Sequence, residues 1–408
     1  MKKTDFYLNS RTDLTGPLAG IRVLEATTTW AGPMCAAVLG DFGADVVKVE
    51  IPTGDISRYV LPKLPESDVT VMHATVNRNK RALSVDVRTE QGREIFLKLG
   101  AQADVVVENF KAGTMEGYGL GYAHLAEIKP DIVYVSITGW GQFGPNHEAA
   151  AYDPLAQASS GFMSVTGTPD GPPTKAGTYL ADDLGGLHGA LGAMAALRHR
   201  DQTGEGQHVD VSLQDALLFQ SNGLPTLGAM GVEPERTGNQ FGAAAPASVF
   251  DCSDGPVYTG VLLDTHWRAL APLIGEPDLA EHVSFATREQ RLENREACNV
   301  LLGNWLAERT RDEAIKLLRE AGLPIAPVNT YGQAARDPHV LERDMLQDTV
   351  LQDGSSAPIV GPAVKFSRTP TRVRSRAPEI GEHNAEILES IGYDADAQQE
   401  LLASGVIS

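Results

Sequence analysis

Residues 21–50 read IRVLEATTTWAGPMCAAVLGDFGADVVKVE. A short apolar strand, IRVLEAT (21–27), runs into AGPMCAAVLGDFG (31–43), a helix with Pro33 in its first turn and Gly43 at its end. A second strand, ADVVKVE (44–50), follows. The same unit then recurs. Strand ALSVDV (82–87) precedes helix TEQGREIFLKLGAQA (89–103) and strand DVVVENF (104–110), and helix AHLAEIKP (123–130) leads to strand IVYVSIT (132–138). Strands alternating with helices predict βαβ units and a parallel sheet, an α/β fold. LEATTTWAGP stands where a dinucleotide fold carries GxGxxG, which argues against NAD or FAD.

Further along, QHVDVSLQDALLFQSN (207–222) adds one more strand and helix to this first domain, residues 1–222. From 223 to 246 Gly, Pro and Ala dominate without apolar periodicity, which predicts a linker. A smaller α+β domain, 247–328, opens with two strands around the Asp254-Gly255 turn. It continues with helices HWRALAPLIG, NREACNVLLGNWLAER and RDEAIKLLREAG, the last two with core Trp and Leu at helical spacing. Residues 329–408 form a return linker and the C-terminal part of the large domain, with strands over 350–370 and two terminal helices.

The 408-residue length predicts two domains, and the net charge of −19 argues against nucleic acid or an anionic membrane as the main partner. Three cysteines, odd in number and far apart, fit a reducing cytoplasm. The N-terminus lacks the apolar core of a signal peptide, and no apolar run is long enough to span a membrane. A soluble cytoplasmic protein is the expectation.

Candidate chemistry gathers between Asn146 and Leu191. Asp183 lies just before Gly185-Gly186, where a bulky ligand can approach the backbone, and Asp153 follows Tyr152. One reading makes Asp183 a nucleophile positioned by Asp153; the other makes Asp182 or Asp183 a helix cap. NRNKR (77–81) is either a phosphate grip or a solvated basic turn. Asn109 and Phe110 end a parallel strand where open α/β sheets bind ligands, although Phe110 also suits a core position. The histidines form no metal-ligand pattern, and no GxSxG is present. His147 and His188 flank the central stretch and read as structural or exposed.

Blocks spread over the chain carry a resemblance. They include GPLAGIRVLE (16–25), AGPMCAAVLGDFGADVVKVE (31–50), NRNKRALSVD (77–86), ADVVVENFKAGTMEGYGL (103–120) and YDPLAQASSGFMSVTG (152–167), then GEGQHVDVSLQDA (204–216), GLPIAPV (322–328) and GEHNAEIL (381–388). In this order they resemble the class III coenzyme A transferases, a family related to α-methylacyl-CoA racemase. The resemblance implies a Rossmann-like large domain built from both ends of the chain and an interlocked homodimer. It implies acyl-CoA and a carboxylic acid as substrates, with no tightly bound cofactor and no metal.

ADDLGG matches the family's nucleophile block, placing the attacking carboxylate at Asp183 with Asp182 the adjacent alternative, and Asp153 matches the upstream acid. By the same match, Trp30, Ala31, Lys80, Arg81, Asn109, Phe110 and Tyr152 contact CoA, while Gly185, Gly186 and Gly260 serve the oxyanion and acyl group. The racemase branch has His where this chain has Tyr152, which favours transfer over epimerisation; an epimerase with His147 as base is the alternative. Trp30 and TGVLLD (259–264) differ from the formyl-CoA transferase pattern, so formate and oxalate are not the expected acids. A CoA-binding subunit without catalysis is a third possibility, opposed by the presence of both acids.

Overall fold

The computed structural model describes residues 1–408. Its centre is a six-stranded all-parallel sheet of β1 (Arg22–Ala26), β2 (Asp45–Glu50), β3 (Lys80–Ser84), β4 (Val105–Glu108), β5 (Val133–Thr138) and β6 (Gln207–Ser212), in the order 3-2-1-4-5-6. β4 and β5 are buried along their whole length, which is why VVVE and VYVSIT read as unbroken runs rather than alternating ones.

Alternate side chains feed two cores. Leu24, Val47, Val106 and Tyr134 pack on one face with Ile95, Phe96 and Leu99, together with Ile387, Leu388 and Leu401 from the last two helices. Val23, Val46, Val105 and Val133 pack on the other face with the apolar residues of the remaining helices. Those helices are α1 (Ala31–Asp41), α3 (Asp153–Ser159), α4 (Leu180–Thr203) and α5 (Leu213–Phe219); α2 (Glu90–Gly100) belongs to the first face. The core on the first face therefore draws on both ends of the chain, while the strands themselves all lie between Arg22 and Ser212.

The chain divides into two compact units, one of residues 1–162, 175–232 and 338–408 and one of residues 163–174 and 233–337. The segment 163–174 thus leaves the first unit, where the sequence placed it. Arg236 explains the assignment: its guanidinium donates to the carbonyls of Ser164, Thr168 and Gly171. The predicted 223–246 linker is not free chain either. Leu224–Ala229 is helical, and Arg295 donates to the carbonyls of Phe241, Gly242 and Ala244.

The second unit holds an antiparallel sheet of β7 (Ala247–Cys252), β8 (Gly255–Gly260) and β9 (Ile325–Pro327). α6 (Asp264–Leu273), α7 (Arg295–Ala307) and α8 (Arg311–Glu320) bury Trp267, Leu302, Trp305, Leu306 and Leu318 against it.

Two strand predictions shift. β3 begins at Lys80 rather than Ala82 and stops at Ser84. The strands expected over 350–370 are a hairpin of Leu346–Val350 and Ser356–Val360. No helix is long and apolar enough to cross a membrane.

Candidate active site

The sheet order reverses between β1 and β4, so the loops leaving their C-terminal ends diverge and leave a crevice. A cavity of about 310 Å³ lies there. Its wall includes Thr28, Thr29, Trp30 and Ala31 after β1, Asn109, Phe110 and Lys111 after β4, and Thr138 to Trp140 at the end of β5. His147, Tyr152 and Asp182 also line it. The two strand ends are stitched together, since Thr28 N–H donates to Asn109 Oδ1 (2.8 Å) and Asn109 Nδ2 donates to Thr28 O (2.9 Å).

Asp182 and Asp183 sit in the first turn of α4, whose N-cap residue Tyr179 offers no side-chain cap. Asp153 supplies the missing acceptor from α3. Its buried Oδ1 receives the backbone N–H of Ala181 (2.7 Å) and of Asp182 (3.4 Å), and Gln157 Nε2 donates to its Oδ2 (2.7 Å). A carboxylate at a helix N-terminus meets both orphan N–H groups and the positive end of the helix dipole. Asp153 is therefore the anchor of α4 and does not face the cavity.

The paired acids differ in surroundings. Trp30 Nε1 donates to Asp183 Oδ1 at 2.6 Å, and Trp30 packs on Tyr179 with ring centroids 5.3 Å apart. Burial raises the Asp183 carboxyl above its usual range, the Trp30 bond opposes that, and the Asp153 charge adds to it. Asp182 lies on the cavity wall, its carboxyl pushed up to about 7 by burial first and then by the charges of Asp153 and Asp183. Of the two, Asp182 is the one on the cavity wall, whereas the sequence reading preferred Asp183.

Gly185 and Gly186 are buried inside α4, so their N–H groups belong to the helix ladder. A Cβ on Gly186 would lie 2.7 Å from Ala31 O, and one on Gly185 would lie 2.4 Å from Leu213 Cδ2. These glycines admit α1 and α5 to close range, where the sequence reading looked for a ligand. Gly260 ends β8 in the second unit, opposite Ala247, and borders an apolar cavity of about 520 Å³ with Tyr258, Leu262, Leu323 and Ile325.

The basic segment 77–81 is not an open loop, because β3 has already begun at Lys80. Lys80 is buried, paired with Glu25 (2.6 Å) and donating to Pro33 O (2.9 Å) and Asn77 Oδ1 (3.1 Å). Burial pulls its ammonium down to about 8. Arg78 pairs with buried Asp41, and Arg81 with Asp45 and Glu386. Neither Lys80 nor Arg81 lines the Asp182 cavity. Among its wall residues the one lysine or arginine is Lys111, an exposed residue that the sequence reading passed over. Its signal was position alone, directly after Asn109-Phe110.

The model of CoA-transferase family III matches residues 18–384. The chain belongs to that family. An acyl-CoA transferase of Fusarium pseudograminearum is 38% identical to it over 98% of this chain and 90% of that protein. The succinyl-CoA:mesaconate CoA-transferase of Haloarcula hispanica is 39% identical, covering 92% of this chain and 97% of its own. A solved CAIB/BAIF family protein from Brucella suis superposes with a TM-score of 0.83 at 36% identity, covering 92% of this chain and all of that one. This family III chain is thus a CoA-transferase enzyme, with acyl-CoA as substrate, and the crevice at its sheet reversal is the candidate site.

Proposed function

We propose that this family III enzyme moves CoA from succinyl-CoA or a similar acyl-CoA to a second carboxylic acid, with Asp182 as the covalent nucleophile. The observation that carries the reading is Asp182 on the wall of the cavity that Trp30, Ala31, Asn109 and Phe110 also line. Relatives named for succinyl-CoA transfer support the donor class.

In this reading the Asp182 carboxylate attacks the thioester carbonyl carbon, forming a C–O bond and expelling the CoA thiolate to leave a mixed anhydride. The thiolate attacks the Asp182 carbonyl, giving an aspartyl-CoA thioester and releasing the donor acid. The acceptor carboxylate attacks that thioester and expels the thiolate again. Attack of the thiolate on the acceptor acyl carbon then frees Asp182. Each step exchanges one acyl bond for another without net proton transfer. Tetrahedral oxyanions form in every attack. The N-terminal turn of α1, whose Ala31 lines the cavity, offers N–H groups and a positive dipole end to them. Lys111, the one lysine or arginine on that wall, takes in this reading the phosphate-meeting role that the resemblance gave to Lys80 and Arg81. Two interlinked protomers, as the resemblance implies, form the working assembly, which solution mass would test.

Mixing the purified chain with succinyl-CoA and a panel of mono- and dicarboxylates, read by mass spectrometry, tests the function. Acceptor-dependent formation of a new acyl-CoA is expected. His147, also on the wall, favours epimerisation as the second reading. Deuterium uptake from heavy water into a 2-methylacyl-CoA with no acid acceptor present would replace the transferase with it.

A further inference from the structure

Five non-glycine residues have positive φ, and Thr29, at 69°, is the only β-branched one among them. For a β-branched side chain this backbone region is strained and persists only where the surroundings hold it. Thr29 sits between β1 and α1, immediately before Trp30.

The surroundings that hold it are specific. Asp55 Oδ1 accepts from Thr29 N (3.1 Å), Thr28 Oγ1 (2.9 Å) and Ser57 N (3.0 Å). Its Oδ2 pairs with Lys48 Nζ at 2.9 Å, and Lys48 also donates to Thr27 O at 3.1 Å. Lys48 and Lys80 both pair with Glu25, so two cations and two carboxylates, all with fully buried side chains, form one neutral cluster under the turn. A buried ionic cluster adds little net stability compared with apolar packing of the same volume. Its yield here is geometric: it fixes three consecutive residues, Thr27 to Thr29, in one arrangement.

We propose that Asp55 is a positioning residue for the CoA-transfer site: it holds Thr29 in the left-handed conformation, which aims the Trp30 indole at Asp183 and sets the Ala31 end of α1 on the cavity wall. The catalytic part of this inference rests on the function proposed above; the placement of Trp30 does not.

The test uses the full-length chain labelled with 5-fluorotryptophan, in which the signal of Trp30 among the four tryptophans is assigned with Trp30→Phe. In folded Asp55→Asn the Trp30 fluorine signal shifts or broadens while the other three stay. kcat for CoA transfer falls about tenfold or more, with KM for acyl-CoA within about threefold. Glycine adopts φ near 69° without strain, so adding Thr29→Gly to Asp55→Asn returns the Trp30 signal and much of kcat. Should Asp55→Asn not fold, Thr28→Val removes a single bond to Asp55 at nearly constant shape and is read the same way. An unmoved Trp30 signal in the folded variant, or the same shift in all four signals, overturns the proposal. So does a failure of Thr29→Gly to rescue. If the parent chain transfers no CoA, the functional reading fails, and the fluorine signals alone decide whether Asp55 places Trp30.

Discussion

The Trp30 indole N–H donates to Asp183 Oδ1 across 2.6 Å, tying the residue that precedes α1 to the first turn of α4. One member of the acidic pair is thereby held by its neighbour, while Asp182 lies on the cavity wall. Trp30→Phe keeps the ring volume roughly and deletes the donor. Unfolding by urea at pH 7 should show a loss of about 1 kcal/mol, as expected when a half-buried carboxylate loses a hydrogen-bond partner. Transfer should slow without being abolished. Unchanged stability would mean that the bond does not form in solution.

The raised Asp182 carboxyl makes activity pH-dependent. Attack requires the carboxylate, so kcat/KM should rise through a midpoint near 7, where the group titrates. Asp183→Asn removes one of the two like charges that raise it and should move the midpoint downward. For stability the sign is opposite to that of an ordinary ion-paired acid. Between about pH 4 and 7 the unfolded chain has released this proton and the folded chain has kept it, so stability falls as pH rises. Asp182→Asn should therefore be more stable than the parent at pH 7–8, with the difference vanishing below about pH 4. Thermal unfolding across that range measures it.

Close approach of α4 to α1 depends on Gly186, where a Cβ would meet Ala31 O at 2.7 Å and Met34 Cβ at 2.9 Å. Gly186→Ala should cost about 1–3 kcal/mol through overpacking. Gly117, where a Cβ meets nothing within 4 Å, provides the control. Equal melting temperatures for the two variants would contradict the packing role.

If Lys111 meets the CoA phosphates, Lys111→Ala should raise KM for acyl-CoA roughly tenfold, the size of a lost charge-assisted contact. KM for the corresponding acyl-pantetheine, which lacks the nucleotide, should change little. Steady-state kinetics with both substrates decide this, and equal effects on the two would remove Lys111 from phosphate binding.

Much of the fold was legible because strand and helix periodicity is local. IRVLEAT, ADVVKVE, DVVVENF and IVYVSIT became β1, β2, β4 and β5 within one or two residues. The acids of the site were legible as residue types, but their division of labour was not. Asp153 anchors α4 through backbone N–H groups 28 and 29 residues away, which no spacing rule reveals. NRNKR read as a basic loop because charge is visible in a sequence and its neutralisation by Glu25, Asp41, Asp45 and Glu386 is not. Gly185-Gly186 pointed to a close approach, and the protein's own helices make one there.

Which side chain carries the acyl group and then CoA is the central matter. Quenching the enzyme during turnover with hydroxylamine converts an aspartyl thioester to a hydroxamate, and peptide mass spectrometry locates it. The modification is predicted at Asp182, absent without acyl-CoA and absent in Asp182→Ala. Modification at Asp183, or no modified aspartate in an enzyme that is turning over, would contradict the account.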